Sequence, residues 1–296
     1  MRITSEVMVN RSLERLRSRL ETYDRAQTQL ATGRRINAPS EDPVGSRRVL
    51  SLQGSLRSRE SEMRNADDAR GWLDAADSQL QSAVERLGRV RDLATRGANL
   101  LAADEGPALA VEIRAIIGEL EGIANTKHLG RPLFGGFGGG DAVTRAPDGT
   151  FEAHGTGDEV MRRVADRESV RINVTAGEWL GFASADGDVL SQLSALADAL
   201  EANDSTAVGT FLAPVERATS RVLDGLAQIG AASNRVESAR SRAVDLTMTL
   251  KSELSAVQDL DIAEGIMELQ IQQVAYEATL QALGKALPPS LVAFLR

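Results

Sequence analysis

Cysteine is absent from the 296 residues, which excludes disulfides, thiolate zinc sites and cysteine nucleophiles and leaves the redox compartment undetermined. Histidine occurs twice, at His128 and His154. The two lack metal-ligand spacing and a third partner, so no zinc site is expected. Aromatic residues make up only 3%, while Leu, Ala, Arg, Ser and Gln recur throughout, the balance of long helices rather than of a β-sandwich. A formal charge of -8 argues against a nonspecific nucleic-acid binder, whose affinity rests on Lys and Arg concentrated against phosphates. The first thirty residues contain no apolar core of a signal peptide, and no run approaches the ~20 apolar residues of a membrane span. No membrane insertion is expected. Proline is missing from Pro43 to Pro107 and again from Pro214 to Pro288, which leaves two long intervals in which a helix need not break.

Those intervals carry helical periodicity. Leu13, Leu16, Leu20, Tyr23, Gln27 and Leu30 recur at spacings of three and four, the seam of a heptad helix. Gly33 is placed to end it as a left-handed cap. Asp42 and Pro43 form a helix start: the carboxylate accepts from orphan amides, and proline at the first helical position has no amide to lose. The following helix is expected to run to about Leu101, with Leu73, Ala76, Leu80, Ala83, Leu87, Val90 and Ala94 on its seam and Gly54 and Gly71 as bend points. A further helix is expected from Pro107 to about Lys127, with Leu109, Ile113, Ile116, Leu120 and Ile123 on one face and Arg131-Pro132 closing it.

The middle of the chain differs. Twelve of the 26 glycines and four of the six phenylalanines lie between Gly130 and Gly187. Val170, Ile172 and Val174 alternate with polar residues, and Asp148-Gly149, Ala176-Gly177 and Asp186-Gly187 signal turns, so a small antiparallel β-domain is expected. Helical spacing resumes after Asp188. Its seam runs Ile229, Ala232, Val236, Ala239, Ala243, Leu246 and Leu250, then after a phase slip near Glu253 restarts as Ile266, Leu269, Gln273, Tyr276, Leu280, Leu283 and Leu287, stopping at Pro288-Pro289.

The fold class expected is mainly α: an elongated helical bundle or coiled-coil rod formed by both chain ends, with a small inserted antiparallel β-domain. Three segments follow: 1–130, 131–188, and 189–296 pairing back on 1–130. Residues 1–64 hold 13 Arg against 8 acidic residues, and 237–296 hold 5 basic against 8 acidic, so the ends are complementary in charge. The bland explanation of heptads at both ends is an ordinary intramolecular bundle. The sharper one is packing between subunits, because narrow stripes bury little in one pair and more in a lattice.

Motifs for chemistry are weak. Gly135 to Gly140 is followed by no Lys-Ser or Lys-Thr of a phosphate loop, and Asp186-Gly187-Asp188 lacks the ligand set of a calcium loop and reads as a turn. Asp259 and Asp261 read as solvated or salt-bridging carboxylates. No Ser-His-Asp set can be assembled. No catalytic, cofactor-binding or metal-binding residue is expected, and no cofactor.

The run Ala31-Thr32-Gly33-Arg34-Arg35-Ile36-Asn37-Ala38-Pro39-Ser40-Glu41-Asp42-Pro43-Val44-Gly45 closely resembles the N-terminal signature of the bacterial flagellin family. Ile229-Gly230-Ala231-Ala232-Ser233-Asn234-Arg235-Val236-Glu237, Asp259-Leu260-Asp261-Ile262-Ala263-Glu264 and Gln270-Ile271-Gln272-Gln273 are similar to its C-terminal region. Between the ends, Leu133-Phe134-Gly135-Gly136, the stretch Val170 to Gly177 before Gly181-Phe182, and the terminus Pro289 to Arg296 resemble the hook-associated junction type rather than a filament flagellin. The resemblance implies a secreted, non-enzymatic structural subunit of the flagellum at the hook-filament junction. Implied partners are its own copies, a hook-side junction protein, flagellin, the export apparatus and an export chaperone. On this reading Leu13, Leu16, Leu20, Ile266, Leu269, Tyr276, Leu280, Leu283 and Leu287 are expected to pack subunits. Gly33, Arg35, Ile36, Asn37, Asp42, Pro43, Asn234, Arg235 and Asp261 carry the family signature. The alternatives are a filament flagellin and a soluble coiled-coil adaptor, the latter with ordered termini in the isolated monomer.

Overall fold

The computed structural model describes residues 2–99, 105–155, 157–184 and 187–286. The expected end at Leu101, Asp186 of one turn, Leu287, the Pro288-Pro289 stop and the segment 289–296 lie outside the described residues. The chain divides into two compact units: a terminal unit of Met1–Ser58 with Leu246–Arg296, and a central unit of Arg59–Asp245. Both divisions fall inside long helices, α2 (Pro43–Ala98) and α7 (Leu212–Gln258).

In the central unit α2 passes unbroken through Gly71, as it does through Gly54 in the terminal unit. An interior glycine costs a helix about 1 kcal/mol, less than the burial of the neighbouring seam contributes. Every seam residue from Leu73 to Ala94 named above is at most 1% exposed. The third helix, α3, covers Gly106–Ala124 and stops short of Lys127, the Asn125 amide turning back to Glu121 O. Arg131-Pro132 does not close it. Instead β1 (Lys127–His128) pairs with β2 (Arg131–Pro132) across a two-residue turn in which Leu129 and Gly130 have φ of 50° and 78°, the left-handed pair that a tight hairpin requires.

Two more hairpins follow, β3 (Val143–Arg145) with β4 (Phe151–Ala153) and β5 (Met161–Ala165) with β6 (Glu168–Arg171). Among the described residues the expected β-domain is therefore three separate antiparallel ribbons that share no common sheet. Short ribbons are marginal alone. Each here turns its apolar side into one core: Leu133, Phe134, Val143, Phe151, Val164 and Val170 join the cluster built by α2, α3 and α7.

The strand expected through Val174 ends at Arg171. Beyond it the Asn173 side chain takes over the pairing, Oδ1 accepting from Val160 N (2.8 Å) and Nδ2 donating to Asp158 O (2.8 Å). Ala176-Gly177 is not an open turn but part of a single-turn helix, α4 (Ala176–Trp179), where Glu178 Oε2 accepts from Thr175 N at 2.8 Å. Next come α5 (Val189–Glu201), capped by Asp188 on Ser191 N, and α6 (Ser205–Thr210), capped by Asp204 on Ala207 N. On α7 the seam is buried from Ile229 to Ala243, but Leu246 is exposed and Thr247 half-buried in its place. The seam shifts there by steps of four, ahead of the expected slip, and α7 runs on through Glu253.

The terminal unit holds α1 (Arg2–Thr32), α8 (Ile262–Ala286) and the adjoining ends of α2 and α7. Helix α1 packs on α8, with Tyr23 stacked on Tyr276 at 6.3 Å between ring centres. Their contact is thin. Among the described side chains α1 buries only Ala26, and α8 only Gly265. No described helix is long and apolar enough to cross a membrane.

Candidate functional site

Most of the signature residues meet at one place in the terminal unit, a clasp between the α1–α2 turn and the α7–α8 turn. Gly33, at φ 67°, ends α1 as a left-handed cap, a conformation open to glycine at no steric cost. The chain then runs antiparallel to the end of α7. Arg34 bridges Asp259, Arg35 N donates to Gln258 O (2.7 Å), and Leu260 N donates to Gly33 O (2.9 Å). The Arg35 guanidinium reaches Val257 O (2.9 Å) and lies 3.7 Å from Asp42. Ile36 is buried beneath, and Gln29 Nε2 donates to Arg35 O at 2.7 Å.

Polar side chains hold the turn itself. Asn37 Oδ1 accepts from Thr32 Oγ1 (2.8 Å) and its amide donates to Arg34 O (3.0 Å). Glu41 accepts from the Asn37 and Ala38 amides and lies 3.9 Å from Arg25. Asp42 caps α2 by accepting from Gly45 N at 2.8 Å, with Pro43 as first helical residue. Asp261 caps α8 in the same way, accepting from Ala263 N (2.9 Å) and Glu264 N (3.3 Å). It is therefore a helix cap rather than a simple solvated carboxylate. Close approach explains two glycines, Gly45 of the signature run and Gly265, to which the sequence reading gave no structural role. A Cβ on Gly45 would meet Ile36 Cδ1 at 2.5 Å, and one on Gly265 would meet Leu260 Cδ2 at 2.7 Å.

Asn234 and Arg235 are not part of the clasp. They lie on α7 in the central unit, Asn234 exposed and Arg235 reaching Glu168 (3.7 Å) and Ser169 O (3.4 Å) at the β5–β6 turn. Arg242 also binds Glu168 (2.8 Å), while Arg162 pairs with Asp68 (2.9 Å) and Arg240 with Asp67 (2.7 Å). The hairpin is thus tied to α7 and α2 by arginines. The hydrogen bond that Arg240 donates to Asp67 raises the Arg240 pKa.

The residues expected to pack subunits lie on the α1–α8 pair. Leu13, Leu20, Ile266 and Leu280 are exposed, whereas Leu16, Leu269, Tyr276 and Leu283 are half-buried. One further feature escaped the periodicity reading: Met267, Ile271 and Val274 are exposed on the opposite side of α8 from its seam. Following a single seam conceals a second one. No group of three or more metal-ligating side chains is present among the described residues. A groove of about 220 Å³ lies in the central unit beside Val170, Ile172, Ile229 and Arg235.

The bacterial flagellin N-terminal helical region matches residues 3–136 and the bacterial flagellin C-terminal helical region matches residues 212–295. Flagellin from Bacillus subtilis is 25% identical over 97% of this chain and 96% of its own length. Flagellar hook-associated protein 3 from Escherichia coli is 23% identical over 95% and 96%. Among solved structures, a flagellar hook-associated protein from Vibrio parahaemolyticus superposes with a TM-score of 0.69 at 22% identity, covering 74% of this chain and all of that one. The flagellar junction protein FlgL from Legionella pneumophila gives 0.60 at 16% identity, covering 71% and 99%. These structural likenesses are of fold. The two flagellin regions together take in about three quarters of the sequence, including both clasp turns and the helices α1 and α8. The chain belongs to the bacterial flagellin family.

Proposed function

We propose that the chain is a structural subunit of the bacterial flagellum that joins the hook-side junction protein to the flagellin filament. The observation that carries this reading is the α1–α8 pair, which among the described side chains buries one residue on each helix and leaves apolar side chains bare on both. A helix pair in water gains most of its stability from covered apolar area. This pair lacks that cover in a single copy, and a family built for polymers supplies it from neighbours. Ordering of these ends is offset by burial on assembly. Partners on this reading are further copies of the chain, the hook-side junction protein and flagellin, with the export apparatus and a chaperone acting before assembly. Its place is outside the cell, and its role requires no catalytic step. The segments 1–130 and 189–296 then serve the polymer, and 131–188 decorates it.

Support for the junction type over the filament type comes from the hook-associated folds it resembles and from the Leu133-Phe134-Gly135-Gly136 and Val170 to Gly177 segments. A filament flagellin is the second reading, favoured by a Bacillus subtilis flagellin matched over 97% of the chain. Deletion of the gene, scored by electron microscopy and by flagellin in the medium, separates them. Complete hooks without filaments, with flagellin shed, are expected. Filaments that stay attached at normal length would overturn the junction role. Purified chain that grows long filaments alone would establish the second reading.

A further inference from the structure

Among the described residues the β5–β6 ribbon has two strands, so one edge of β6 has no strand beside it. The ladder fixes which peptide groups that edge presents. Ile172 N donates to Val160 O at 3.0 Å, in the same register in which Met161 faces Arg171 and Arg162 faces Val170. Bonded and non-bonded pairs alternate along an antiparallel ladder, so the peptide groups of Ser169, Arg171 and Asn173 turn away from β5. They turn toward α7. Ser169 O accepts from Arg235 Nη2 at 3.4 Å, and a Cβ on Gly225 would stand 3.5 Å from the Val174 side chain.

Between that edge and α7 runs the groove of about 220 Å³. Its α7 wall includes Ala231 and Ala232, whose side chains are short and carry no acceptor for an amide. Asn173 is 4% exposed, and among the described residues nothing accepts from its backbone amide. Its own carboxamide is committed to Val160 and Asp158. A buried backbone amide is almost always bonded, so this one calls for an acceptor from outside the chain. Leu73, Ile229 and Ala232 supply apolar surface beside it. At the rim the Arg235 side chain is 56% exposed and 3.7 Å from Glu168, a carboxylate that Arg242 holds more closely at 2.8 Å. Arg171, by contrast, is engaged by two 2.8 Å bonds to Glu178. Arg235 is therefore the less neutralised of the two rim cations.

An unpaired strand edge, apolar residues and a rim cation together complement an extended peptide. We propose that the slot between β6 and α7 takes an extended, acidic-apolar peptide of another protein. The peptide adds a short third strand to the ribbon by bonding the Arg171 and Asn173 peptide groups. It lays an apolar side chain against Leu73 and Ala232 and sets a carboxylate beside Arg235. Main-chain bonds supply the attraction in such a strand addition, and the side chains set the selectivity. From Ser169 to Asn173 the edge is about 13 Å long at ~3.3 Å per residue, room for about four residues. The inference goes beyond the structural role of the chain, and neither requires the other.

Amide hydrogen exchange of the purified full chain, followed by NMR, tests the free slot. The Asn173 amide should exchange at least about tenfold faster than that of Ile172, which has a protein acceptor. The probe is the blocked peptide acetyl-Thr-Val-Asp-Val-Thr-amide, added to about 5 mM, a concentration suited to so short an edge. It should slow exchange at Arg171 and Asn173 and shift the Ala231 and Ala232 methyl signals. The same peptide with Lys in place of Asp should bind about tenfold more weakly, and Arg235→Glu should reverse that preference. Circular dichroism checks the fold of the variant, and the two peptides on the wild-type chain decide the matter if it misfolds. A slowly exchanging Asn173 amide in the free chain, no change at Arg171 and Asn173 with the Asp peptide, or equal binding of the two peptides would each overturn the proposal.

Discussion

Asp42 and Asp261 each accept from amides at the start of a helix, and each start sits in the clasp. Replacing either with alanine should cost about 1 kcal/mol, read as faster hydrogen exchange of the Gly45 or Ala263 amide with little change at Leu80. Gly45→Ala should be worse than Asp42→Ala, because the added methyl must displace both Ile36 and the capping carboxylate. A milder test lies at Asp148. The Thr150 hydroxyl and then its amide hold this carboxyl below its ordinary value of 3.8. A depressed carboxylate stabilises the fold above its ordinary pKa, and the contribution disappears as pH falls through the folded value. Thr150→Val, followed by carbon-detected NMR titration, should move Asp148 back up toward 3.8; an unchanged midpoint would show that the hydroxyl has no part. Asp148-Gly149 was legible in the sequence because turn chemistry is local. Asn173 was not: its bonds go to Val160 and Asp158, more than ten residues away.

Helices α2 and α1 carry similar heptads with opposite burial. Leu80 is fully enclosed, so Leu80→Ala should cost about 2–5 kcal/mol in chemical unfolding of the central unit. Leu20→Ala, at an exposed seam position, should stay within about 0.5 kcal/mol in the monomer yet reduce the fraction of cells that keep their filaments. Equal losses of stability from the two would contradict the division of labour. Periodicity alone placed both seams and could not rank them, because burial depends on what the rest of the chain brings up. Leu80 lies in an enclosed cluster to which α3, α5, α7 and the hairpins contribute, whereas Leu20 lies on a helix packed on α8. The same limit explains the misplaced strand ends. Two-residue strands such as Lys127–His128 leave too short a pattern to read, and the α3 terminus was drawn past Ala124 because nothing in the sequence marked Asn125 as its cap.

Across the whole molecule the two units differ in how much apolar surface they enclose, and proteolysis of the full chain should reveal it. Trypsin is expected to cut first at Arg11, Arg15, Arg17 or Arg19, in a helix with one buried side chain among those described, leaving a resistant fragment that includes Arg59–Asp245. Mass spectrometry of early products checks this, and first cuts inside that range would count against it. The clasp also sets an order of events. Its contacts join positions 222 residues apart, as from Arg35 to Val257, and closing so long a loop from an unfolded chain costs about 5 kcal/mol of entropy. The central unit has the enclosed core to fold without that closure, and once it has done so the intervening chain is no longer free. Gly33, Arg35, Gln258 and Leu260 therefore lock last. A chain synthesised from its N-terminus has its first helix waiting, unlatched, until the α7–α8 turn arrives.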